Sequence, residues 1–99
     1  MTNEEKFDTL NKSEIEVVFW REKGDSYEVI ASLLGIGINA VQSRMTNAYD
    51  KLGIYTDVKD SKERGRLRKE KGEAVLAKHF YPILRQKVPN EDAFKVLRT

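Results

Sequence analysis

Short polar side chains recur at helical spacing in the middle of the chain. If Val41, Met45 and Ala48 point toward a core, the opposite side of the same helix is a polar face. That face carries Asn39, Ser43, Thr46 and Asn47, with Gln42 and Arg44 on its flanks. Such groups hydrogen-bond base edges and phosphate oxygens, whereas an ordinary solvent-exposed face, the alternative, usually carries Glu and Lys. The pattern therefore indicates a surface suited to nucleic acid.

Two predicted helices position this polar face. Between Ser26 and Ile54, apolar residues keep three-and-four spacing in two segments, which Gly35-Ile36-Gly37 separates. Ser26 is a typical N-cap for the first helix, and Gly53 supplies the left-handed residue that ends the second. Two short helices joined by a glycine turn are typical of a helix-turn-helix, whose second helix enters a DNA major groove.

A further helix is predicted before this pair. Asn11 as N-cap and Glu14 three residues later form a variant of the capping box, and Lys23-Gly24 closes the helix. Residues 1–9 precede it and are predicted to form a flexible polar arm, in which Phe7 is the only sizeable apolar anchor. Residues 10–54 are thus predicted to form the folded core of the chain.

Two pairs of apolar residues exceed what this core needs. They lie at i, i+4 spacing on faces turned away from it and are Ile15 with Phe19 and Val29 with Leu33. A broad apolar helix in a small core is the simpler explanation, and a second contact surface is the other. A C-terminal set also needs a partner: Leu76, Phe80, Ile83 and Leu84. We expect residues 74–98 to fold back on the first helices or, by slight preference, to cross between subunits of a homodimer.

Residues 10–54 resemble the LuxR/GerE-type DNA-binding domain. The first helix of that family opens L-T-x-x-E-x-E-V-L, and the matching residues here are Leu10, Glu14, Glu16, Val17 and Val18, with Asn11 in place of Thr. The family's recognition segment ends in K-L-G-[VI], which Lys51-Leu52-Gly53-Ile54 matches. The part from Ser26 to Leu52 is also similar to region 4 of bacterial sigma factors. The pattern V-x-S-R is common in that region, and Val41-Gln42-Ser43-Arg44 matches it here.

The resemblance implies a function and a set of DNA-contacting positions. The positions near DNA would be Ala40, Gln42, Ser43, Arg44 and Asn47. Many members of the family have Thr at the position of Ala40 and Lys at the position of Gln42. The implied protein is a small stand-alone bacterial transcription regulator that binds duplex DNA, as a homodimer. The alternative is a protein-binding module of the same fold that engages RNA polymerase, a sigma factor or another regulator.

Positive charge is concentrated after the predicted helix-turn-helix. Residues 1–25 have a net charge of −3, residues 26–54 of zero and residues 55–99 of +5. Residues 55–73 are predicted to be a basic helix or linker whose cations run along phosphates: Lys62, Arg64, Arg66, Arg68, Lys69 and Lys71. The alternative is a solvated segment. Pro82 predicts a break in the helical extension 74–99, and Asn90 predicts the cap of a last short helix with Phe94 and Leu97.

Composition limits the remaining classes of function. The 99 residues include no cysteine and one histidine, and neither paired carboxylates on an apolar face nor a nucleotide-binding loop of the G-x-x-x-x-G-K type occurs. We therefore expect no enzymatic activity, no metal and no cofactor. The apolar runs are too short for a membrane span and the acidic start is unlike a signal peptide, so a cytoplasmic soluble protein is expected. The predicted fold class is all-α: a three-to-four-helix helix-turn-helix core with a helical C-terminal extension.

Overall fold

The computed structural model describes residues 1–93, which fold as seven α-helices and one π-helical turn with no strand among them. In chain order these are α1 (Asn3–Asp8), α2 (Lys12–Glu22), α3 (Tyr27–Leu34), α4 (Ile38–Leu52), α5 (Ser61–Leu67), the π turn (Arg68–Gly72), α6 (Glu73–His79) and α7 (Tyr81–Lys87). The all-α prediction is confirmed. The predicted contacts of Phe94 and Leu97 lie outside the described residues. Between residues 1 and 93, no helix combines the length and the apolar character needed to cross a bilayer.

The chain begins with a helix rather than with the predicted flexible arm. Thr2 and Glu5 form a reciprocal capping box at the start of α1, which satisfies two of the free backbone N–H groups there. Phe7 is buried in the core, and Lys87 lies over its ring while also pairing with Asp8. The prediction was wrong for residues 1–9 because a local cap and one buried ring together stabilise a helix of only six residues.

Helix α2 begins and ends where the sequence predicts. The Oδ1 atom of Asn11 accepts a hydrogen bond from the backbone N–H of Glu14, and the Glu14 carboxylate accepts one from the backbone N–H of Asn11, each at 2.9 Å. The Nζ atom of Lys51 also lies 2.8 Å from that buried carboxylate. Glu14, a member of the capping box of α2, therefore also anchors the last turn of α4.

Helices α3 and α4 pack against each other across a three-residue turn. Ser26 caps α3 as predicted, and Gly35 ends it in the left-handed region at φ 68°. Gly53 ends α4 in the same way at φ 72°, again as predicted. Positive φ is a conformation that residues with a Cβ adopt reluctantly, so these two glycines fix the lengths of both helices.

The C-terminal extension is one long helix with a π turn inside it, followed by a short helix. The π turn makes α5 and α6 continuous and places Arg68 and Gly72 against the core. A Cβ atom on Gly72 would lie 2.9 Å from the hydroxyl oxygen of Tyr49, so only glycine allows this close approach. The helical path breaks at Phe80 (φ −122°), and α7 starts with Pro82 in its first turn, which confirms the predicted break.

The C-terminal helices complete a single core within one chain. The buried residues of this core include Ile15 and Phe19 of α2 together with Leu76, Phe80 and Leu84, and Ile83 packs on it partly buried. Arg21 and Glu22 of α2 also pair with Glu73 and Arg85. The extension thus folds back on the first helices, and the favoured alternative of crossing between subunits is not what the structure has. Leu76, Phe80 and Leu84 thereby lie in the same buried cluster as Ile15 and Phe19.

Candidate nucleic-acid interface

The polar face of α4 is open to solvent. Its exposed residues line one shallow depression and are Asn39, Gln42, Ser43, Thr46 and Asn47. Ala40 and Arg44, at the edges of this face, are half-buried. Arg44 forms no ion pair with any residue between 1 and 93. The amide and hydroxyl groups of α4 are thus presented together on one surface.

The opposite face of α4 is held firmly in the core. Val41, Met45, Ala48 and Leu52 are each almost fully buried, which accounts for the three-and-four spacing of apolar residues in the sequence. The ion pair between Lys51 and Glu14 fixes the C-terminal end of the helix against α2. A helix fixed along its inner face and at its end keeps the exposed polar groups in a constant geometry.

The structure removes one predicted phosphate contact. Arg68 has only 8% of its side chain exposed. Its Nε donates to the carbonyl oxygen of Ile54 at 2.9 Å, its Nη2 lies 2.7 Å from Asp50 Oδ1, and its guanidinium stacks over the ring of Tyr49. Arg68 therefore joins the C-terminal helix to the end of α4, and the prediction that it meets phosphate was wrong because those donors are already used.

The other predicted cations differ from one another in exposure and in ion pairing. Arg66 is exposed but pairs with Glu63 and Glu70 along its own helix, which offsets its charge. Arg64 is half-buried and donates once, from Nη1 to the carbonyl oxygen of Val58 at 2.8 Å. Lys69 is exposed and, like Arg64, has no carboxylate partner within residues 1–93. Arg64 and Lys69 are the two members of the set Arg64, Arg66, Arg68 and Lys69 with uncompensated charge.

A groove of about 700 Å³ separates α4 from α5. One wall is the stripe of α4 formed by Gln42, Met45, Thr46 and Tyr49, and the other is the stripe formed by Ser61, Arg64, Gly65, Arg68 and Lys69. Tyr27, Arg21 and Glu73 close one end. Gln42 and Thr46 belong both to this groove and to the open polar face, so the two surfaces are continuous. The structure thereby brings Arg64 and Lys69 beside the polar face of α4.

A hydrogen-bonded cluster at the end of the groove was missed by the sequence analysis. The Glu73 carboxylate accepts from Arg21 Nε and from the hydroxyl of Tyr81, each at 2.8 Å. Burial and the neighbouring Glu73 carboxylate raise the pKa of Tyr49 and of Tyr81, and Tyr81 also donates its hydrogen bond to that carboxylate. The one signal in the sequence was a lone carboxylate, Glu73, where the apolar pattern returns. The cluster ties α2 to α6 and α7.

Two apolar residues of α3 and one of α4 remain exposed. Val29 is 45% exposed, Leu33 53% and Ile38 38%. Of the two surplus apolar pairs, Ile15 with Phe19 is covered by the chain itself, whereas Val29 with Leu33 is not. The predicted second contact surface is therefore reduced to the outer face of α3.

Comparisons with family models, with curated proteins and with solved structures find no match for this chain. The resemblance of residues 10–54 to the LuxR/GerE-type domain therefore stays a prediction from sequence motifs. The candidate interface accordingly rests on three physical features. They are the exposed polar face of α4, the burial of the opposite face, and the cations Arg44, Arg64 and Lys69, which have no carboxylate partner in the described part of the chain.

Proposed function

We propose that this protein is a DNA-binding transcription regulator in which α3 and α4 act as a helix-turn-helix. In this proposal α4 enters the major groove and its amide and hydroxyl side chains bind base edges. The observation that supports it is the exposed row Asn39, Gln42, Ser43, Thr46 and Asn47 on a helix whose other face is buried. Asn and Gln side chains can make bidentate contacts with adenine, and Ser and Thr can bind any base.

The surrounding cations would supply affinity that does not depend on sequence. Phosphate neutralisation releases counterions from DNA, and this release makes binding salt-dependent. Arg44 lies at the edge of the polar face, and Arg64 and Lys69 lie across the groove from Gln42 and Thr46. Arg66 and Arg68 are left out of the proposed interface because Glu63, Glu70 and Asp50 offset their charges.

Duplex binding by the full-length protein tests the proposal. We expect a fluorescently labelled duplex of mixed sequence to bind with an affinity that falls as salt rises. Gln42→Ala or Asn47→Ala should reduce the difference between preferred and random duplexes by about 1–3 kcal/mol, because each removes a base contact. Arg44→Gln should instead weaken binding to all duplexes and make the log–log salt slope less negative by about 0.9.

Arg66→Gln is the matched control for charge. It removes one positive charge from the same surface region, but Arg66 already pairs with two glutamates, so the salt slope should not become less negative. An absence of salt-dependent duplex binding, or equal slopes for Arg44→Gln and wild type, would contradict the proposal.

A second candidate function is the binding of another protein, such as RNA polymerase, a sigma factor or another regulator. The exposure of Val29, Leu33 and Ile38 favours it. Three side chains are far less than a stable interface needs, since such interfaces bury about 1,200–2,000 Å² in total. The same surface would serve a homodimer, which also stays a proposal. A Leu33→Asp variant that keeps duplex binding but loses its partner or its dimer would assign this surface.

A further inference from the structure

The groove between α4 and α5 has the size and lining of a small-molecule site. Its volume of about 700 Å³ lies within the roughly 300–1,000 Å³ typical of ligand pockets. Tyr27 gives it partly exposed aromatic surface, Met45 and Tyr49 line it with only 1% and 7% of their surface exposed, and polar groups stand on both walls. An apolar body with a few fixed polar partners is the usual composition of such a site.

The charge balance of the groove favours an anion. Arg21 is paired with Glu73 and Arg68 with Asp50, so these two cations are compensated. Arg64 and Lys69 are not, and both line the groove. Arg64 uses one N–H group on the Val58 carbonyl, and its other N–H groups have no acceptor within residues 1–93. Arg64, Lys69 and the hydroxyl of Ser61 all line the groove and are the groups that can bind an anion there.

Two features of the helix backbone shape one wall of this groove, namely Gly65 and the π turn. Gly65 lies in the middle of α5, where glycine costs a helix about 1 kcal/mol relative to alanine. A Cβ at Gly65 would meet no atom within 4 Å, so packing does not require glycine there. The π turn, a form of helix often found at functional sites, contributes Arg68 and Lys69 to the same wall. Gly65 therefore leaves space in this wall where any other residue would place a side chain.

We propose that this groove binds a small organic anion, with its carboxylate or phosphate group at Arg64, Lys69 and Ser61 and its planar apolar body on the side of the groove that Tyr27, Met45 and Tyr49 line. The proposal does not depend on DNA binding. Because Gln42 and Thr46 line both the groove and the polar face of α4, a bound anion would also change duplex affinity. That coupling alone rests on the proposed function.

Titration of the full-length, ¹⁵N-labelled protein by NMR tests the site. The probes are naphthalene-2-carboxylate, 1-naphthyl phosphate, the neutral 2-naphthylmethanol and inorganic phosphate. We expect saturable shifts of the backbone amides of Tyr49 and Gly65 with one or both organic anions, and the comparison of the two distinguishes carboxylate from phosphate. The neutral analogue should bind about tenfold more weakly or worse, because it lacks the charge-assisted hydrogen bonds.

Gly65→Leu is the decisive variant. Its side chain should fill the groove and abolish the shifts, while the thermal midpoint stays equal to that of wild type or rises, because leucine favours a helix. Ala77→Leu, on the exposed surface of α6 outside the groove, is the control and should bind as wild type does. Lys69→Gln should weaken the anions several-fold and leave the neutral analogue unchanged.

Three results would overturn the proposal. The first is the absence of saturable shifts with both organic anions at millimolar concentration. The second is binding that Gly65→Leu leaves intact, since the anion then sits elsewhere. The third is inorganic phosphate binding as tightly as the organic anions, since the groove would then recognise phosphate alone, as a DNA backbone contact would. In every case duplex binding is measured separately, so a failure of the site and a failure of the DNA proposal remain distinguishable.

Discussion

The sequence between Lys62 and Lys71 contains six cations that look alike. Their environments in the structure differ, as four of them show. Arg68 is buried and links the C-terminal helix to the end of α4, and Arg66 forms ion pairs on the surface. Arg64 and Lys69 line the groove and have no carboxylate partner within residues 1–93. Residue type and net charge predict where positive charge is concentrated. They do not predict which guanidinium is buried, because that depends on where Asp50 and the Ile54 carbonyl lie after folding.

We expect Arg68→Met to destabilise the protein by about 1–3 kcal/mol. The substitution keeps the length of the side chain but leaves the Ile54 carbonyl without its buried donor. The ion pair with Asp50 adds little to this estimate, since that carboxylate is 55% exposed. Urea unfolding followed by circular dichroism measures the change. Arg66→Met is the control on the same helix, and its urea midpoint should match that of wild type. Equal urea midpoints for the Arg68→Met and Arg66→Met variants would contradict a stabilising role of the Arg68 hydrogen bond to Ile54.

Helix ends were predictable wherever their chemistry is local. The predicted boundaries that the structure confirms are those at Asn11 with Glu14, Ser26, Gly53 and Pro82. A capping residue or a proline ring affects only the backbone within a few residues of it, so its effect can be recognised in the sequence. The capping box of Thr2 and Glu5 was equally local and was overlooked, since α1 carries only one apolar anchor. The close packing of the π turn could not be predicted, because it brings Gly72 against the ring of Tyr49, which lies 23 positions earlier in the chain.

The two glycines of the long C-terminal helix should respond in opposite directions to alanine. Gly65→Ala should stabilise the protein by about 0.5–1 kcal/mol, because the added methyl group meets open space and alanine favours helix. Gly72→Ala should destabilise it, because the methyl group would overlap a buried tyrosine ring held beneath Arg68. Urea midpoints of the two variants give the comparison. Tyr49→Phe should partly rescue Gly72→Ala, and a stabilising Gly72→Ala would refute the close packing.

At the level of the complete chain, the sequence predicted the apolar sets correctly but not their pairing. Ile15 and Phe19 need a cover, and Leu76, Phe80 and Leu84 need a partner, but apolar contact carries no information about whether the two sets belong to one chain or to two. In the structure the two sets lie together in the core of one chain. The candidate polar face of α4 was predicted residue by residue, whereas the groove beside it was not, since it requires the return of the C-terminal helix.

Because Phe80 lies in the core of one chain and Leu33 on its surface, a substitution at Phe80 tests the fold and one at Leu33 tests a dimer. Phe80→Asp should unfold the protein rather than separate subunits, because Phe80 is buried in the core of a single chain. Leu33→Asp should leave the fold unchanged, since that side chain is 53% exposed, and should convert any dimer formed through α3 to monomer. Circular dichroism and analytical ultracentrifugation of wild type and both variants measure these outcomes. A well-folded Phe80→Asp protein would contradict the core described above.

The tyrosines around Glu73 predict a loss of stability at alkaline pH. Burial raises the pKa of Tyr49 and of Tyr81 in the folded protein, so both stay neutral there after unfolded tyrosine, with a pKa of about 10, has ionised. Stability is therefore fully present below about pH 10 and falls above it, by at most about 1.4 kcal/mol per pH unit for each tyrosine. Urea midpoints between pH 8 and pH 11.5 measure this. Tyr81→Phe should make the decline shallower, and an unchanged decline would contradict the assignment.

The return of the last helices to cover α2 also determines when the chain can fold during its synthesis. Phe19 leaves the ribosome 61 residues ahead of Phe80, which at 5–20 residues per second corresponds to roughly 3–12 s. Throughout that interval the core lacks Leu76, Phe80 and Leu84, so the nascent chain exposes apolar surface that chaperones and other unfolded chains bind. A message cut short after Ile54 would yield a product fixed in that exposed condition, with the α4 polar face encoded but no complete core to hold it.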